Sequence, residues 1–280
     1  MKEIQKRQNE QKPLEIQAIA RILYNRAEKI NSWLWILPII SYLTIFITSD
    51  SFDNAVTIVC FLIDVVAVAL QFWFEHLIKF ASKCKKIFDY YVLGFSNSIN
   101  IDSPYDERLL KVLRKRKQEI SLYTSNTGKD SPPGVKYWYT FIETLSSDEA
   151  KFECQKQNKW WDEKLTKFRL FKDLILFAIL LFVFVIVVKN SNPSWVRIVF
   201  SSIIIIRLIE RIITNLRYMV LSIQISGAVS ILENNKNEEQ LLRLQEKIDA
   251  KRELSVVGWN FLHSKFAKRL TEAYESLKKM

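Results

Sequence analysis

The stretch Ala55–Phe74 reads AVTIVCFLIDVVAVALQFWF and holds a single charge, Asp64. A helix rising ~1.5 Å per residue needs ~20 such residues to cross the ~30 Å hydrocarbon core of a bilayer. This run therefore places the chain among integral membrane proteins. Three further runs follow the same logic. Trp33–Thr48 is uncharged but short, and recruits Ile30 or flanking residues. Phe171–Val188 carries Lys172 and Asp173 only at its start. Trp195–Ile206 contains Arg197 and continues as a helical pattern past Arg207. That fourth run crosses if Arg207, Glu210 and Arg211 are tolerated near its inner end; otherwise it is a buried helix beside three spans. The expected fold is all-α, with transmembrane hairpins at 33–74 and 170–226. An amphipathic helix at 1–32 precedes them, a mainly helical segment at 75–169 separates them, and a helical tail at 227–280 follows.

Composition agrees with two kinds of segment. The chain has 280 residues, 49% of them hydrophobic, yet a mean hydropathy of +0.00. Apolar runs are thus balanced by charged ones, and Lys+Arg exceed Asp+Glu by 41 to 30, a net +11. Three cysteines exclude a disulfide framework. The connection Ser49–Asn54 carries Asp50 and Asp53 without a basic residue, and Lys189–Ser194 is a short turn with Asn190, Asn192 and Pro193. Lys2, Lys6, Arg7 and Lys12 precede the first run, and Lys79, Lys83, Lys85 and Lys86 follow the second. The positive-inside rule puts both termini and 75–169 in the cytoplasm. Trp33, Trp35, Phe72, Trp73, Trp160 and Trp161 suit the inner interface and Trp195 the outer. No cleavable signal peptide is expected, because the first apolar run starts late.

The polar parts read as helices. Ile16, Ile19, Ala20, Leu23, Ala27 and Ile30 fall at helical spacing, as do Leu109, Val112, Leu113 and Ile120 within Tyr105–Leu122. Thr124–Gly134 (TSNTGKDSPPG) is a loop, and Trp138–Thr166 returns to helical spacing. In the tail Leu262, Phe266, Leu270, Tyr274 and Leu277 share a face opposite Lys265, Lys268 and Arg269.

Motifs for chemistry are missing from the sequence. It has no G-x-G-x-x-G, P-loop, C-x-x-C or H-E-x-x-H, and only two histidines. No enzyme activity, cofactor or metal is expected. The densest positive patch is Arg108, Lys111, Arg114, Lys115 and Arg116. Two readings are open for it: a face beside an anionic leaflet, or a phosphate-binding surface for a nucleotide whose bases stack on Tyr105, Tyr137, Trp138 or Tyr139. Stable nucleic-acid binding does not suit so short a patch tethered to a membrane. Asp64 lies ~13 Å into its span and Arg207 ~18 Å into its own, by rise per residue. The carboxylate either pairs with Arg207, lines a pore, or is protonated and bonded to Ser41, Thr44 or Ser201. Arg207, Glu210, Arg211, Thr214 and Arg217 form a stripe, either of intrahelical ion pairs or of vestibule-lining groups.

Several short motifs carry a resemblance. Trp138-Tyr139, Cys154-Gln155, Asn158, Trp161-Asp162 and Leu165, with Phe88-Asp89-Tyr90-Tyr91-Val92-Leu93, resemble elements of the SMODS-associating four-transmembrane effector family. Arg7-Gln8-Asn9 and the Leu14, Tyr24, Ala27 helix are similar to that family's N-terminal entry. Gly94-Phe95-Ser96 departs from it, since a proline and a tryptophan are expected after the Val-Leu pair. The similarity runs from Arg7 to about the fourth apolar run. It implies a bacterial inner-membrane effector of a CBASS-type anti-phage system. A partner nucleotidyltransferase makes a cyclic nucleotide, the effector senses it, and a homo-oligomer perturbs or permeabilises the lipid bilayer. A constitutive channel or transporter, or a non-conducting scaffold, are the alternatives.

Reporter fusions check the expected topology: those at Asn54 and Asn192 should read periplasmic and one at Gly128 cytoplasmic. A cytoplasmic signal at Asn192 removes the second hairpin.

Overall fold

A computed structural model of the chain describes residues 2–46, 53–95, 107–139, 145–191, 193–234 and 236–254, the side chains of 53 and 160–168 excepted. The elements are α1 (Lys2–Gln8), α2 (Gln11–Leu43), α3 (Asp53–Leu93), α4 (Glu107–Lys115), α5 (Lys117–Ser125), α6 (Ser147–Ser191), α7 (Trp195–Asn234) and α8 (Glu238–Glu253). No strand occurs among the described residues; Thr127 and Lys136 form one isolated bridge.

Four helices dominate, with 33, 41, 45 and 40 residues in α2, α3, α6 and α7. At ~1.5 Å per residue they are ~50–68 Å long, far more than a bilayer needs. Each continues from an apolar half into a polar half. The boundaries expected at 32/33, 74/75 and 169/170 fall inside α2, α3 and α6, and the backbone does not break there.

The two halves bury different surfaces. In the polar half, Ile16, Ile19, Leu23, Ala27 and Ile30 of α2 pack with Ile78, Ala81, Phe88 and Val92 of α3. Ile225, Val229 and Leu232 of α7 and Leu241, Leu244 and Ile248 of α8 complete this core. The helical face read from α2 is thus the buried face. In the apolar half the large side chains point outward instead, among them Phe61, Leu62, Val65, Phe72, Phe182 and Val185. So much exposed apolar surface suits hydrocarbon and not water.

Among the described residues three helices are long and apolar enough to cross a membrane: Gln11–Phe46, Asn54–Leu93 and Arg169–Ser191. The protein is therefore a membrane protein. α7 falls short of that measure because Arg197, Arg207, Glu210 and Arg211 interrupt it. α2 packs along α3 and α6 along α7.

Local chemistry sets the helix ends. Ser146 and Glu149 form a capping box: Ser146 N–H donates to Glu149 Oε2 (3.0 Å) and Glu149 N–H to Ser146 Oγ (3.4 Å). These bonds hold the Glu149 carboxyl below its ordinary range. They also start α6 at Ser147, so of the helical stretch expected from Trp138 the described residues Trp138, Tyr139, Leu145 and Ser146 lie outside the helix. The helix expected over Tyr105–Leu122 divides into α4 and α5 at Arg116, whose backbone leaves the helical region (φ −127°, ψ 27°). α3 ends in a Schellman turn, with Phe95 N–H on Tyr90 O (3.0 Å) and Gly94 N–H on Tyr91 O (3.2 Å). Gly94 supplies the left-handed residue this turn needs (φ +71°). The departure from the family pattern at Gly94 is thus a helix stop. The tail face from Leu262 to Leu277 lies outside the described residues.

The loop between α5 and α6 folds tightly on itself. Gly134 N–H donates to Thr127 O (2.6 Å) and Asn126 Nδ2 to Pro132 O (2.9 Å). A Cβ on Gly134 would lie 1.8 Å from Asn126 O, whereas one on Gly128 meets nothing within 4 Å. Gly134→Ala should therefore unfold this loop and lower the melting temperature, by the equivalent of ~3 kcal/mol or more, a size typical of buried overpacking. Gly128→Ala should change it by under ~0.5 kcal/mol. Equal melting temperatures for the two variants would refute this account.

Candidate functional site

The polar half is organised around one carboxylate. Asp89, fully buried on α3, accepts from three side chains. Arg252 Nη1 of α8 lies 2.6 Å from its Oδ2, Gln245 Nε2 of α8 3.1 Å from the same oxygen, and Tyr139 Oη 2.7 Å from its Oδ1. Burying an ionised carboxylate is costly unless it is paired and hydrogen-bonded, and here both oxygens are served. The network spreads outward. Asn158 Nδ2 of α6 donates to Tyr139 Oη (3.0 Å), and Gln155 Nε2 to Gln245 Oε1 (3.2 Å) and Leu241 O (2.9 Å). Gln245 Nε2 also reaches Asp249 Oδ1 (3.1 Å).

The N-terminus clamps the same point. Gln8 accepts from Tyr139 N (2.9 Å) and donates to Tyr139 O (3.4 Å), while Asn9 Oδ1 accepts from Tyr137 N (3.1 Å). Tyr137 takes a positive φ of 53° there, which turns the chain inward. The Tyr139 ring then stacks on Phe88, centroids 6.3 Å apart. Motifs separated by over a hundred residues thus meet: Gln8 and Asn9, Phe88 and Asp89, Trp138 and Tyr139, Gln155 and Asn158. Val92, Leu93 and Cys154 are buried in the adjoining core. The side chains of Trp161 and Asp162 lie outside the described residues.

Electrostatics follow from burial. The Tyr139 hydroxyl is pushed well above its ordinary pKa, first by burial and then by Asp89. Arg252 is held further protonated by Asp89 despite its burial. Burial raises the Asp249 carboxyl to about 6; Arg252 opposes this, and the Asp89 carboxylate adds to it.

The ligand set expected from the sequence divides between two places. Arg108, Lys111, Arg114, Lys115 and Arg116 are exposed on the α4–α5 corner, anchored to the core by Leu109 and Ile120. Arg116 Nη1 lies 3.6 Å from Glu119 Oε2. Arg26 of α2 faces the same two residues and so extends the patch. Trp138 instead lies under Lys85 of α3, with Nζ 3.8 Å from the ring centroid, and its carbonyl accepts from Gln157 of α6. Tyr139 is buried in the core, and its ring is not presented to a ligand. Tyr105 lies outside the described residues.

A second polar cluster marks where α2, α6 and α7 change character. Asp173 of α6, fully buried, accepts from Arg211 Nε (2.8 Å) and Asn215 Nδ2 (2.6 Å) of α7. Arg211 also donates to Asn31 Oδ1 of α2 (3.3 Å) and lies over the Trp35 ring (5.0 Å). The stripe on α7 therefore does not act as one unit. Arg211 turns inward, Arg207 Nη2 donates to Gln71 Oε1 of α3 (2.7 Å), and Glu210 and Arg217 stay exposed. The pairing of Arg207 with Asp64 is corrected here: Arg207 is held by Gln71. Asp64 faces Ser41 and Cys60 near the α2–α3 contact, and neither oxygen makes a hydrogen bond of ordinary geometry among the described residues.

Sequence reasoning passed over Gln245, Asp249 and Arg252 because the tail matched no motif. A signal was present. These three polar residues fall at i, i+4 and i+7, interleaved with Leu241, Leu244 and Ile248, on the face that packs inward.

Removing either partner of the Asp89–Arg252 pair should destabilise the protein by ~3–5 kcal/mol, since a buried charge is stranded. The double variant Asp89→Asn, Arg252→Met should recover part of that loss, and thermal unfolding of the four proteins in detergent gives the coupling. Asp249 adds a pH dependence. Its folded pKa is raised above the ~3.9 of an unfolded aspartate, so the stability it contributes is full below that value and is lost as pH rises through about 6. Its surroundings are Asp89, Arg252, Gln245, Tyr90 and Lys86. Between pH 5 and 7 the wild type should lose ~1 kcal/mol or more relative to Asp249→Asn. Parallel pH profiles for the two would refute the assignment.

Comparison with known families matches residues 2–204 to the SMODS-associating 4TM effector domain. No curated protein and no solved structure matches the chain. The match takes in Gln8, Asn9, Phe88, Asp89, Trp138, Tyr139, Gln155 and Asn158, the residues that converge on the buried carboxylate, and it ends before α8. With 2–204 amounting to well over half of its length, the chain belongs to the SMODS-associating 4TM effector family, a family of membrane effectors.

Proposed function

We propose that the protein is an inner-membrane effector of a CBASS-type anti-phage system, triggered by a phosphate-bearing ligand at the α4–α5 corner. The ligand is a cyclic nucleotide from the partner nucleotidyltransferase. Both termini and the polar half lie in the cytoplasm. α7 crosses as a fourth span, its Arg207 met inside the protein by Gln71 and its Arg211 by Asp173 and Asn31. Homo-oligomers then perturb or permeabilise the bilayer.

The observation that carries this reading is the continuity of α2, α3 and α6 from the polar core into the apolar half. A helix without a break transmits a shift of its polar end to its membrane end. α4 and α5 pack on α2, so a ligand that pulls on the basic corner bears on a helix that enters the bilayer. Such a ligand shifts a closed–open equilibrium only through different affinities for the two states. Arg26 and Arg116 face each other with the single carboxylate of Glu119 beside both, so the corner keeps a net positive charge that a phosphate can answer.

The corner also lies close to the membrane. Arg26 precedes Asn31 by five residues, ~8 Å along α2, and Asn31 belongs to the polar cluster at the boundary. Lipid phosphate and free nucleotide thus share one recognition chemistry, and the experiment must separate them. Dye leakage is measured from zwitterionic and from anionic vesicles, with and without cyclic nucleotide. Arg114→Glu, Arg116→Glu should leave membrane abundance unchanged and raise the nucleotide dose for leakage by roughly tenfold or more, since each charge-assisted contact is worth ~1.5–3 kcal/mol. An unchanged dose places the sensor elsewhere. Leakage that follows anionic lipid and ignores nucleotide assigns the corner to the leaflet. Leakage without either favours a constitutive channel, for which Asp64 is the natural lining residue.

A further inference from the structure

α7 has two apolar seams, and the described residues of the chain bury only one. Arg197, Ser201, Ile204, Leu208, Asn215, Tyr218, Ile225, Val229 and Leu232 face inward. On the opposite side Trp195, Val199, Ser202, Ile206, Ile209, Ile213, Leu216, Val220 and Ile223 step along the helix by four and three in strict alternation. In heptad terms these are positions a and d, and the inward set falls on c and f. Every member of the outer seam but Ser202 is a large apolar side chain exposed to the surroundings.

Within the bilayer such a seam needs no protein partner, because lipid covers it. The informative part lies beyond. Arg211 pairs with Asp173 and Asn31 at the boundary. Val220 is nine residues past it, ~13 Å, and Ile223 twelve residues, ~18 Å. These two are 50% and 63% exposed, and Ile231, flanking the end of the same face, is 65% exposed. Such a row in water marks an interaction surface.

We infer that this seam pairs α7 with α7 of a second copy, as a parallel coiled coil that starts in the membrane and continues out of it. Three observations choose this occupant. A seam with a 3.5-residue period is matched by a helix of the same period winding beside it, and α7 offers that period to its own copy. Two copies inserted with the same orientation are related by an axis along the membrane normal, so their α7 helices run parallel and the seam meets itself. Gly227 and Ser230 continue the a and d register after Ile223, and a Cβ on Gly227 meets nothing within 4 Å, so the helices can approach closely there. The tail suits the seam less well: Leu262, Phe266, Leu270 and Tyr274 step by four throughout, a longer period. β-branched residues at both a and d (Ile206, Ile213 and Val220; Ile209 and Ile223) favour bundles of more than two helices.

This inference deepens the oligomeric part of the proposed function, and its test does not depend on leakage or nucleotide. Val220→Cys, Ile223→Cys and Gln224→Cys are made singly in the full-length protein and oxidised in native membranes. Cys60, Cys84 and Cys154 are buried, so the unmodified protein serves as the blank. Disulfide-linked dimers should form several-fold more at 220 and 223 than at 224, which flanks the seam at an e position. Equal yields at the three sites, or none, overturn the inference. Labelling with a small maleimide says why: a monomer with reactive thiols shows a seam facing water, and a monomer with shielded thiols shows a cover from elsewhere. As a second variant, Ile223→Glu should reduce oligomer size at unchanged membrane abundance; an unaltered oligomer also overturns the inference. Crosslinked protein that never makes vesicles leak sinks the functional reading and leaves the interface standing.

Discussion

A carboxylate removed from water must be met by a cation and by hydrogen-bond donors, and Asp89 is met by groups from distant parts of the chain. Tyr139 reaches it from the loop before α6, and Arg252 and Gln245 from α8. Gln8 at the N-terminus holds the backbone of Tyr139 in place. The position of each of these elements is therefore conditional on the others. α8 lies outside the family match, yet its Arg252 is the ion-pair partner of a carboxylate inside it. The core of the polar half is complete only when the segment after α7 has docked.

The rest of the architecture hangs from the same point by rigid connections. α6 carries Gln155 and Asn158 at the network and Asp173 at the membrane boundary, on one unbroken helix. The separation is fifteen residues, ~22 Å. α3 carries Asp89 at one end and Gln71 and Asp64 deeper in. A change at the polar core has few ways to be absorbed before it reaches the boundary cluster of Asp173, Arg211, Asn215 and Asn31. That cluster ties three helices together with a buried ion pair. Such a pair adds little net stability, but losing one partner strands a buried charge.

The outer seam of α7 completes the picture from the other side. Its inward face is committed to α2, α6 and α8, while the outward face is apolar well past the membrane. One helix thus carries the boundary cluster on one side and the proposed copy-to-copy surface on the other. A shift of α7 against α6 would be felt by a neighbour.

Much of this was readable from residues alone, for a physical reason. Membrane runs such as Ala55–Phe74 and Phe171–Val188 are decided by local composition and length, and helical faces such as Ile16 to Ile30 by period. Neither depends on what else the chain does. The family motifs were also visible, because they are contiguous. Their purpose was not, since Asp89 and Tyr139 acquire a role only when brought together. Tyr139 is only a candidate stacking surface in sequence, because an aromatic beside a basic segment looks the same whether it points out or in. Depth, a one-dimensional measure, makes Arg207 one candidate partner for Asp64, and the rotation of α3 and α7 about their axes gives Arg207 to Gln71 instead. Arg252 matched no pattern at all. Local composition settled which helices are apolar enough to cross a membrane and which faces are apolar. Only the packing of distant helices settled which charge answers which, because a buried ion pair is a property of two places in the chain at once.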